Sequence, residues 1–353
     1  MVSHRDNKSQ KLLVVMPNWL GDFVMATTFL NSLKQSEKAK NYSISVLVRD
    51  SWADLLKHDS RIDEVILYER TGEHSSIAGN IRLATSLRKH KFDSAILLVP
   101  SFRSAAVTLL ANIPERIGFK GDGRSFFLTH NVPRPEKGEM HYTEELHLLI
   151  KSFDETYVPS DSLPSIEYPG LHGNDTHKYW TVAVGSTYGD AKCWPIARVA
   201  DFLERMVRDN NQSIALVGDS KASAHVDDLK RSAGLNWLDD FGDEVGVVDF
   251  TGRTTLIEIA SILSKSKMFI GNDSGLMHLS AALGCPTVGI FGSTSPAWTS
   301  PKGRWTTAVS VAGFSCSPCF LKNCTNAEFC LETISAEDVY ESAQTLIKET
   351  GEV

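Results

Sequence analysis

Phe269-Ile-Gly-Asn-Asp-Ser-Gly-Leu-Met-His-Leu-Ser-Ala-Ala-Leu-Gly284 begins as a short buried strand and turns, at Asn272-Asp273-Ser274-Gly275, into a helix of small and apolar residues. A strand feeding a helix through a tight polar turn is the unit of a parallel α/β sheet, whose ligands sit at the carboxyl ends of the strands. The first amides of such a helix have no partner within it, so those of Ser274 and Gly275 face the crevice. Asp273 is placed to accept bonds from sugar hydroxyls, and His278, near the first helical turn, to reach the same crevice. Taken alone, the stretch also has a plainer reading, in which Asp273 or Ser274 only caps the helix and His278 is a satisfied core histidine.

The same alternation runs through the whole chain. Strands are predicted at Leu12 to Met16, Ser43 to Val48, Glu64 to Leu67 and Ala95 to Val99, with helices over Phe23 to Gln35, Ile81 to Lys89 and Ser104 to Asn112. Phe23, Ala26, Thr27, Leu30 and Leu33 recur at spacings of three and four, which predicts one buried stripe on the first helix. From Val158 to Tyr179 the chain turns rich in Pro, Ser, Gly and Asp and loses its periodicity, as an interdomain linker does. Strands then resume at Thr181 to Val184, Ser213 to Val217, Met268 to Ile270 and Thr287 to Phe291, with helices near Ile196 to Arg208, Leu256 to Leu263 and Gly275 to Leu283. The organisation predicted is a first α/β domain over 1–158, a linker over 159–178, a second α/β domain over 179–335 and a helix over 336–353 that packs back on the first domain.

Two more strand-to-helix turns carry chemistry. In Leu12-Leu-Val-Val-Met-Pro-Asn-Trp-Leu-Gly-Asp22, the strand ends in a loop with a single glycine, which is not the G-x-G-x-x-G fingerprint of a nicotinamide dehydrogenase. By spacing alone Asp22 reads more readily as a helix N-cap than as a catalytic group. In Val184-Gly-Ser-Thr-Tyr-Gly-Asp-Ala-Lys-Cys-Trp-Pro195, small residues and the hydroxyls of Ser186 and Thr187 permit close approach of a phosphate, and Lys192 supplies a cation to meet it. An ordinary loop with a solvated lysine fits that segment equally well.

Composition narrows the classes. The 353 residues exceed what one hydrophobic core usually supports, and the net charge of -7 argues against a surface built to coat nucleic acid. Met1 to Lys11 is polar, and the apolar run after it is stopped by Pro17, too short for a signal peptide or a span. No charge-free apolar stretch of roughly 18 residues occurs, so membrane association is expected to be peripheral. Cys316, Cys319, Cys324 and Cys330 form a C-x2-C-x4-C-x5-C cluster with zinc-like spacing only at its first pair. Structural zinc, reduced thiols and a redox-sensitive loop all remain open for it, and no metal site is assigned.

In order and together, the three motifs resemble the heptosyltransferases of glycosyltransferase family 9, over nearly the whole chain from Leu12 to the last helix. N-W-L-G-D at Asn18 to Asp22 and A-K-C-W-P at Ala191 to Pro195 are similar to the type II enzymes; Cys193 departs from the arginine of many relatives, while Lys192 is kept. The resemblance implies the GT-B architecture of two facing Rossmann-like domains with parallel sheets. It implies an inverting transfer from ADP-heptose, held mainly by the second domain, to the inner core of lipid A-linked oligosaccharide at a membrane surface, in the cytoplasm or at the inner face of the inner membrane. By the same resemblance Asp22 matches the catalytic base, and Ser186, Thr187 and Lys192 the phosphate-contacting loop. Asp273, Ser274, Gly275 and His278 match the donor-sugar and diphosphate turn, and Gly252, in Thr251-Gly-Arg-Thr-Thr255, a turn near the adenine. No D-x-D motif for a metal occurs, so the chemistry is expected to need no cofactor, with magnesium at most an influence on assays.

Between Ser101 and Arg134, Arg103, Arg116, Lys120, Arg124 and Arg134 face only Glu115 and Asp122, a local basic excess on an acidic chain. Guanidinium forks suit the anionic groups of inner-core sugars, so Arg103, Arg116, Lys120 and Arg124 are candidates for acceptor binding, with a solvated basic surface as the alternative. Asp22 is expected to line a cleft opposite Lys192 and Asp273. Rival readings are a GT-B transferase or epimerase with another nucleotide sugar, and a catalytically silent sugar-nucleotide-binding protein; retention of both Asp22 and Lys192 argues against silence.

Overall fold

Short β-branched strands that are apolar on both faces need helices above and below them, and each half of the chain supplies its own set. The computed structural model describes residues 10–121, 123–171 and 179–351. Asp122, linker residues 172–178, residues 1–9 and residues 352–353 of the expected last helix lie outside the described residues.

The first unit has six strands, β1 (Gln10–Val15), β2 (Tyr42–Arg49), β3 (Glu64–Tyr68), β4 (Ser94–Leu97), β5 (Glu115–Phe119) and β6 (His130–Val132). They form one parallel sheet in the order β3-β2-β1-β4-β5-β6, in which Leu12 pairs with Ile44 on one side and Ser94 on the other. Its helices are α1 (Leu20–Gln35), α2 (Asp50–Ala53), α3 (Ile77–His90), α4 (Phe102–Leu110) and α5 (Tyr142–Phe153). The single buried stripe expected of α1 is corrected: every residue from Phe23 to Leu30 is buried, because α5 covers the side that the sheet does not.

The second unit has seven strands: β7 (Tyr179–Ala183), β8 (Ser213–Val217), β9 (Trp237–Leu238), β10 (Val247–Asp249), β11 (Phe269–Asn272), β12 (Thr287–Phe291) and β13 (Thr306–Ser310). All are parallel, in the order β13-β12-β11-β7-β8-β10-β9. Its helices are α6 (Ile196–Glu204), α7 (Ser223–Ser232), α8 (Leu256–Ser264), α9 (Gly275–Ala282), α10 (Pro296–Thr299) and α11 (Ala336–Thr350). The helix predicted to run to Arg208 leaves α geometry at Glu204 and finishes as a π turn over Arg205–Asp209.

The first unit extends to Tyr168, and the second starts at Pro169. The start of the expected linker belongs to the first unit because its backbone is bonded there: Asn31 Nδ2 donates to the Leu163 carbonyl at 2.8 Å, and the buried Arg61 donates to Ser165 Oγ at 2.8 Å and to its carbonyl at 3.0 Å. In helix α11, Val339, Ala343 and Leu346 lie in the core of the second unit, against α6, β12 and β13.

Candidate functional site

In the second sheet the strand order reverses at β7, with later strands returning on its β11 side, and such a reversal is where open α/β sheets bind ligands. It brings the loop after β7 beside the turn after β11. Asn272, the last residue of β11, clasps the two together: its Nδ2 donates to the Gly185 carbonyl at 3.0 Å, and its Oδ1 accepts from the Trp194 amide at 2.8 Å. Gly185 takes a φ of 77°, which strains any residue with a side chain, and a Cβ there would crowd Ala222 Cβ at 3.0 Å.

Lys192 closes a short 3-10 turn, Asp190–Lys192, and its Nζ reaches Asp273 Oδ2 at 2.6 Å. Thr294, beyond the end of β12, donates to the same oxygen at 2.7 Å, and His278 Nε2 stands 3.8 Å from Oδ1. Burial raises the pKa of Asp273, but His278 and the charge of Lys192 outweigh it and hold the carboxyl down to about 2. The Asp273 carboxyl is therefore ionised at any ordinary pH. The hydroxyls of Ser274 and Ser293, one after each of the adjacent strands β11 and β12, are buried without a hydrogen-bond partner among the described residues. Buried hydroxyls are almost always bonded, so two orphaned ones at a sheet's ligand edge suit a polar ligand. Ser274 is the N-cap of α9 yet makes no side-chain cap bond.

The remaining candidates of this half lie on the neighbouring strand ends. Thr187 Oγ1 donates to Asp219 Oδ2, beyond β8, at 2.9 Å, and Ser186 Oγ accepts from the Tyr188 amide at 3.3 Å. Gly252, beyond β10, has a φ of 68° and donates its amide to the Gly218 carbonyl at 3.0 Å.

In the first unit the order reverses at β1, and the chain leaving β1 is pinned by its neighbours. The Asn18 carbonyl accepts from Arg49 Nη1 at 3.3 Å and Trp52 Nε1 at 3.1 Å, and the Tyr68 hydroxyl donates to Asn18 Oδ1. Helix α1 then starts at Leu20 with Trp19 as its N-cap. The capping reading of Asp22 is thereby corrected: it is the third helical residue, half-buried in the first turn. The buried phenol of Tyr142, at the start of α5, is pushed well up in pKa, first by burial and then by the charge of Asp22.

Residues 80–329, well over half of the chain, match the model of glycosyltransferase family 9 (heptosyltransferase). The chain belongs to glycosyltransferase family 9. It is 26% identical over 306 residues to lipopolysaccharide heptosyltransferase 2 of Escherichia coli K12, covering 82% of this chain and 85% of that one. Its fold matches the structure of the E. coli ADP-heptose lipopolysaccharide heptosyltransferase II, with a TM-score of 0.76 at 23% identity, over 97% of this chain and 100% of that one. It also matches the E. coli heptosyltransferase WaaC with ADP, with a TM-score of 0.73 at 18% identity, over 96% and 100%. The GT-B fold expected of two Rossmann-like domains is thus the fold found.

In this glycosyltransferase the basic stretch divides. Arg116 lies at the amino end of β5, remote from the ligand edge of its sheet, and gives its guanidinium to the carbonyls of Phe127 at 2.6 Å, Pro114 at 3.1 Å and Ile113. Arg124 is buried, with Nε on the Phe119 carbonyl at 2.6 Å and Nη2 on that of Lys120 at 3.0 Å. These bonds to backbone give both side chains a structural role within the first unit. Arg103 bonds Asn80 Oδ1 at 2.5 Å and the His74 carbonyl, whereas Lys120 is exposed just past the carboxyl end of β5.

All six cysteines are free, and among the described residues no three metal-ligating side chains converge. Cys193, beside Lys192, has its thiol pushed up to about 11 by burial and then by Asp190 and Asp219, so it stays neutral. No described helix is long and apolar enough to cross a membrane. The motifs did not disclose Thr294 or Tyr142. A strand followed by Gly292-Ser293-Thr294 was the available signal for the first, and the second had none.

Proposed function

We propose that this glycosyltransferase moves heptose from ADP-heptose to the inner core of lipid A-linked oligosaccharide, with inversion, as an enzyme of the type II class working in the cytoplasm at the membrane face. Family membership and the names of its relatives support heptose transfer in lipopolysaccharide synthesis. The observation that carries the donor side is the ion pair of the part-buried Lys192 with the buried Asp273 at the strand-order reversal, beside the start of α9. In the displacement the acceptor hydroxyl oxygen bonds to the anomeric carbon, the bond from that carbon to the phosphate oxygen breaks, and ADP leaves with the electron pair. Lys192 and the amides at Ser274 and Gly275 stabilise the charge growing on that phosphate. Asp273, fully ionised, accepts from sugar hydroxyls. Asp22 takes the proton that the acceptor hydroxyl loses, and the exposed Lys120 meets the anionic acceptor.

The test is incubation of the purified protein with ADP-heptose and defined truncated core acceptors, followed by mass spectrometry and anomeric analysis. A product heavier by one heptose, with inverted configuration, is expected. Transfer only from a different nucleotide sugar, or donor binding without transfer, would select one of the rival readings.

A further inference from the structure

We infer that Lys322 supplies a second cation to the diphosphate of the donor; the inference rests on the donor reading above. Lys322 lies far from the motifs in sequence, between Cys319 and Cys324, yet its backbone is part of the donor loop. The Ala191 amide donates to the Lys322 carbonyl at 2.9 Å, next to Lys192 itself. Gly189 has no room for a side chain because a Cβ there would stand 2.3 Å from that same carbonyl oxygen. The segment is fastened on its other side as well: the Tyr188 hydroxyl donates to the Phe320 carbonyl at 2.9 Å, the Phe320 amide to Ser293 at 2.7 Å, and Ser317 Oγ to Gly292 at 2.7 Å. It therefore ties the loop after β7 to the loop after β12, the two that hold Lys192 and Thr294.

The side chain follows from this tether. Lys192 Nζ lies 4.9 Å from the centre of the Tyr188 ring, and Lys322 Nζ lies 5.9 Å from the same centre. Two ammonium groups thus approach one ring, but in different electrical states. Lys192 is matched by Asp273, so that pair brings no net charge to a ligand. A sugar nucleotide diphosphate carries about two negative charges at neutral pH, so charge balance calls for a cation beyond the pair. Lys322 is exposed, and its ammonium rests on the Tyr188 ring face, a weak and flexible contact that lets it swing onto a phosphate oxygen.

Calorimetry of ADP and of adenosine on the wild type, Lys322→Gln and Lys322→Arg, with donor KM and kcat on each, tests this. Lys322→Gln is expected to weaken ADP binding about tenfold, the scale of one charge-assisted contact, leave adenosine binding unchanged, and raise donor KM more than it lowers kcat. Lys322→Arg should retain most of the affinity. ADP binding by Lys322→Gln at the wild-type level, or equal losses for ADP and adenosine, would overturn the inference while leaving the donor reading intact. A wild type that binds no ADP would remove the donor reading and the inference with it.

Discussion

The ammonium of Lys192 lies 2.6 Å from Oδ2 of Asp273, so the cation proposed for the donor phosphate is also the partner of a buried carboxylate. On that proposal, donor binding and the integrity of the second unit are coupled through one side chain. The coupling separates Lys192 from an ordinary surface lysine, whose removal leaves stability unchanged.

Lys192→Ala is expected to do two things. Loss of a charge-assisted contact to phosphate should weaken ADP-sugar binding by roughly 1.5 to 3 kcal/mol. The carboxylate of Asp273 would also lose its main cation, and the melting temperature should fall, because breaking a buried pair leaves a charge uncompensated. Calorimetry below the transition and a thermal melt measure the two separately. Unchanged affinity would remove Lys192 from the donor site.

The same pair sets a pH dependence. Asp273 titrates near 2 in the folded protein against an ordinary value of 3.8, so its stabilisation is present above the unfolded value and is lost as pH falls through the folded one. The contribution is on the order of 2 kcal/mol, complete above about pH 4 and roughly half gone by about pH 3. Urea denaturation of the wild type and Asp273→Asn across that window should show the gap between them narrowing with acid. A constant gap would show that Asp273 is not held ionised.

The basic stretch of the first unit offers a contrast between two residues a few positions apart. Arg124→Ala should lower the melting temperature, because the carbonyls of Phe119 and Lys120 lose a buried donor, at a cost of about 1 to 3 kcal/mol. Lys120→Ala should leave the melt alone and raise acceptor KM severalfold, the scale of one exposed charge contact. Melts and acceptor titrations on both variants decide it; an effect of Lys120→Ala on stability alone would return it to the solvated surface.

How far the sequence could be read depended on how much apolar surface each element carries. Strands buried on both faces, such as Leu12 to Met16 and Thr287 to Phe291, appear as aliphatic runs, and the three ligand turns follow from them. Strand β5, Glu115-Arg-Ile-Gly-Phe119, mixes charge with two large apolar residues, and β13, Thr306–Ser310, is only half-buried, so neither stands out by pattern. Helix α5 opens on an unusual signal: its capping box joins His141 and Glu144, with histidine in place of the usual Ser or Thr. Arg116 and Arg124 show a different limit. Charge in sequence does not reveal whether a guanidinium faces solvent or a row of carbonyls. The clasp made by Asn272 joins residues 87 and 78 positions away, a separation that local pattern cannot register.

Asp22 is the residue for which structure has changed the balance of readings. As a helix cap it would have had a sufficient structural role, but Trp19 occupies that position and Asp22 is the third residue of α1, at the strand-order reversal of the first sheet. Asn at this position keeps the shape and removes the charge, and an amide cannot take up the acceptor's proton. The loss of one negative charge from a first helical turn costs about 0.3 to 1 kcal/mol, so Asp22→Asn should melt within a few degrees of the wild type. ADP-sugar affinity should be unchanged, since the donor contacts proposed here belong to the second unit. Turnover should fall by about a hundredfold or more, the usual scale of a lost general base. The melt, donor calorimetry and the single-turnover rate, taken on one preparation, distinguish the outcomes. Near-normal turnover with an intact fold and intact donor binding would exclude Asp22 as the base, and the proton would then have to leave by another group.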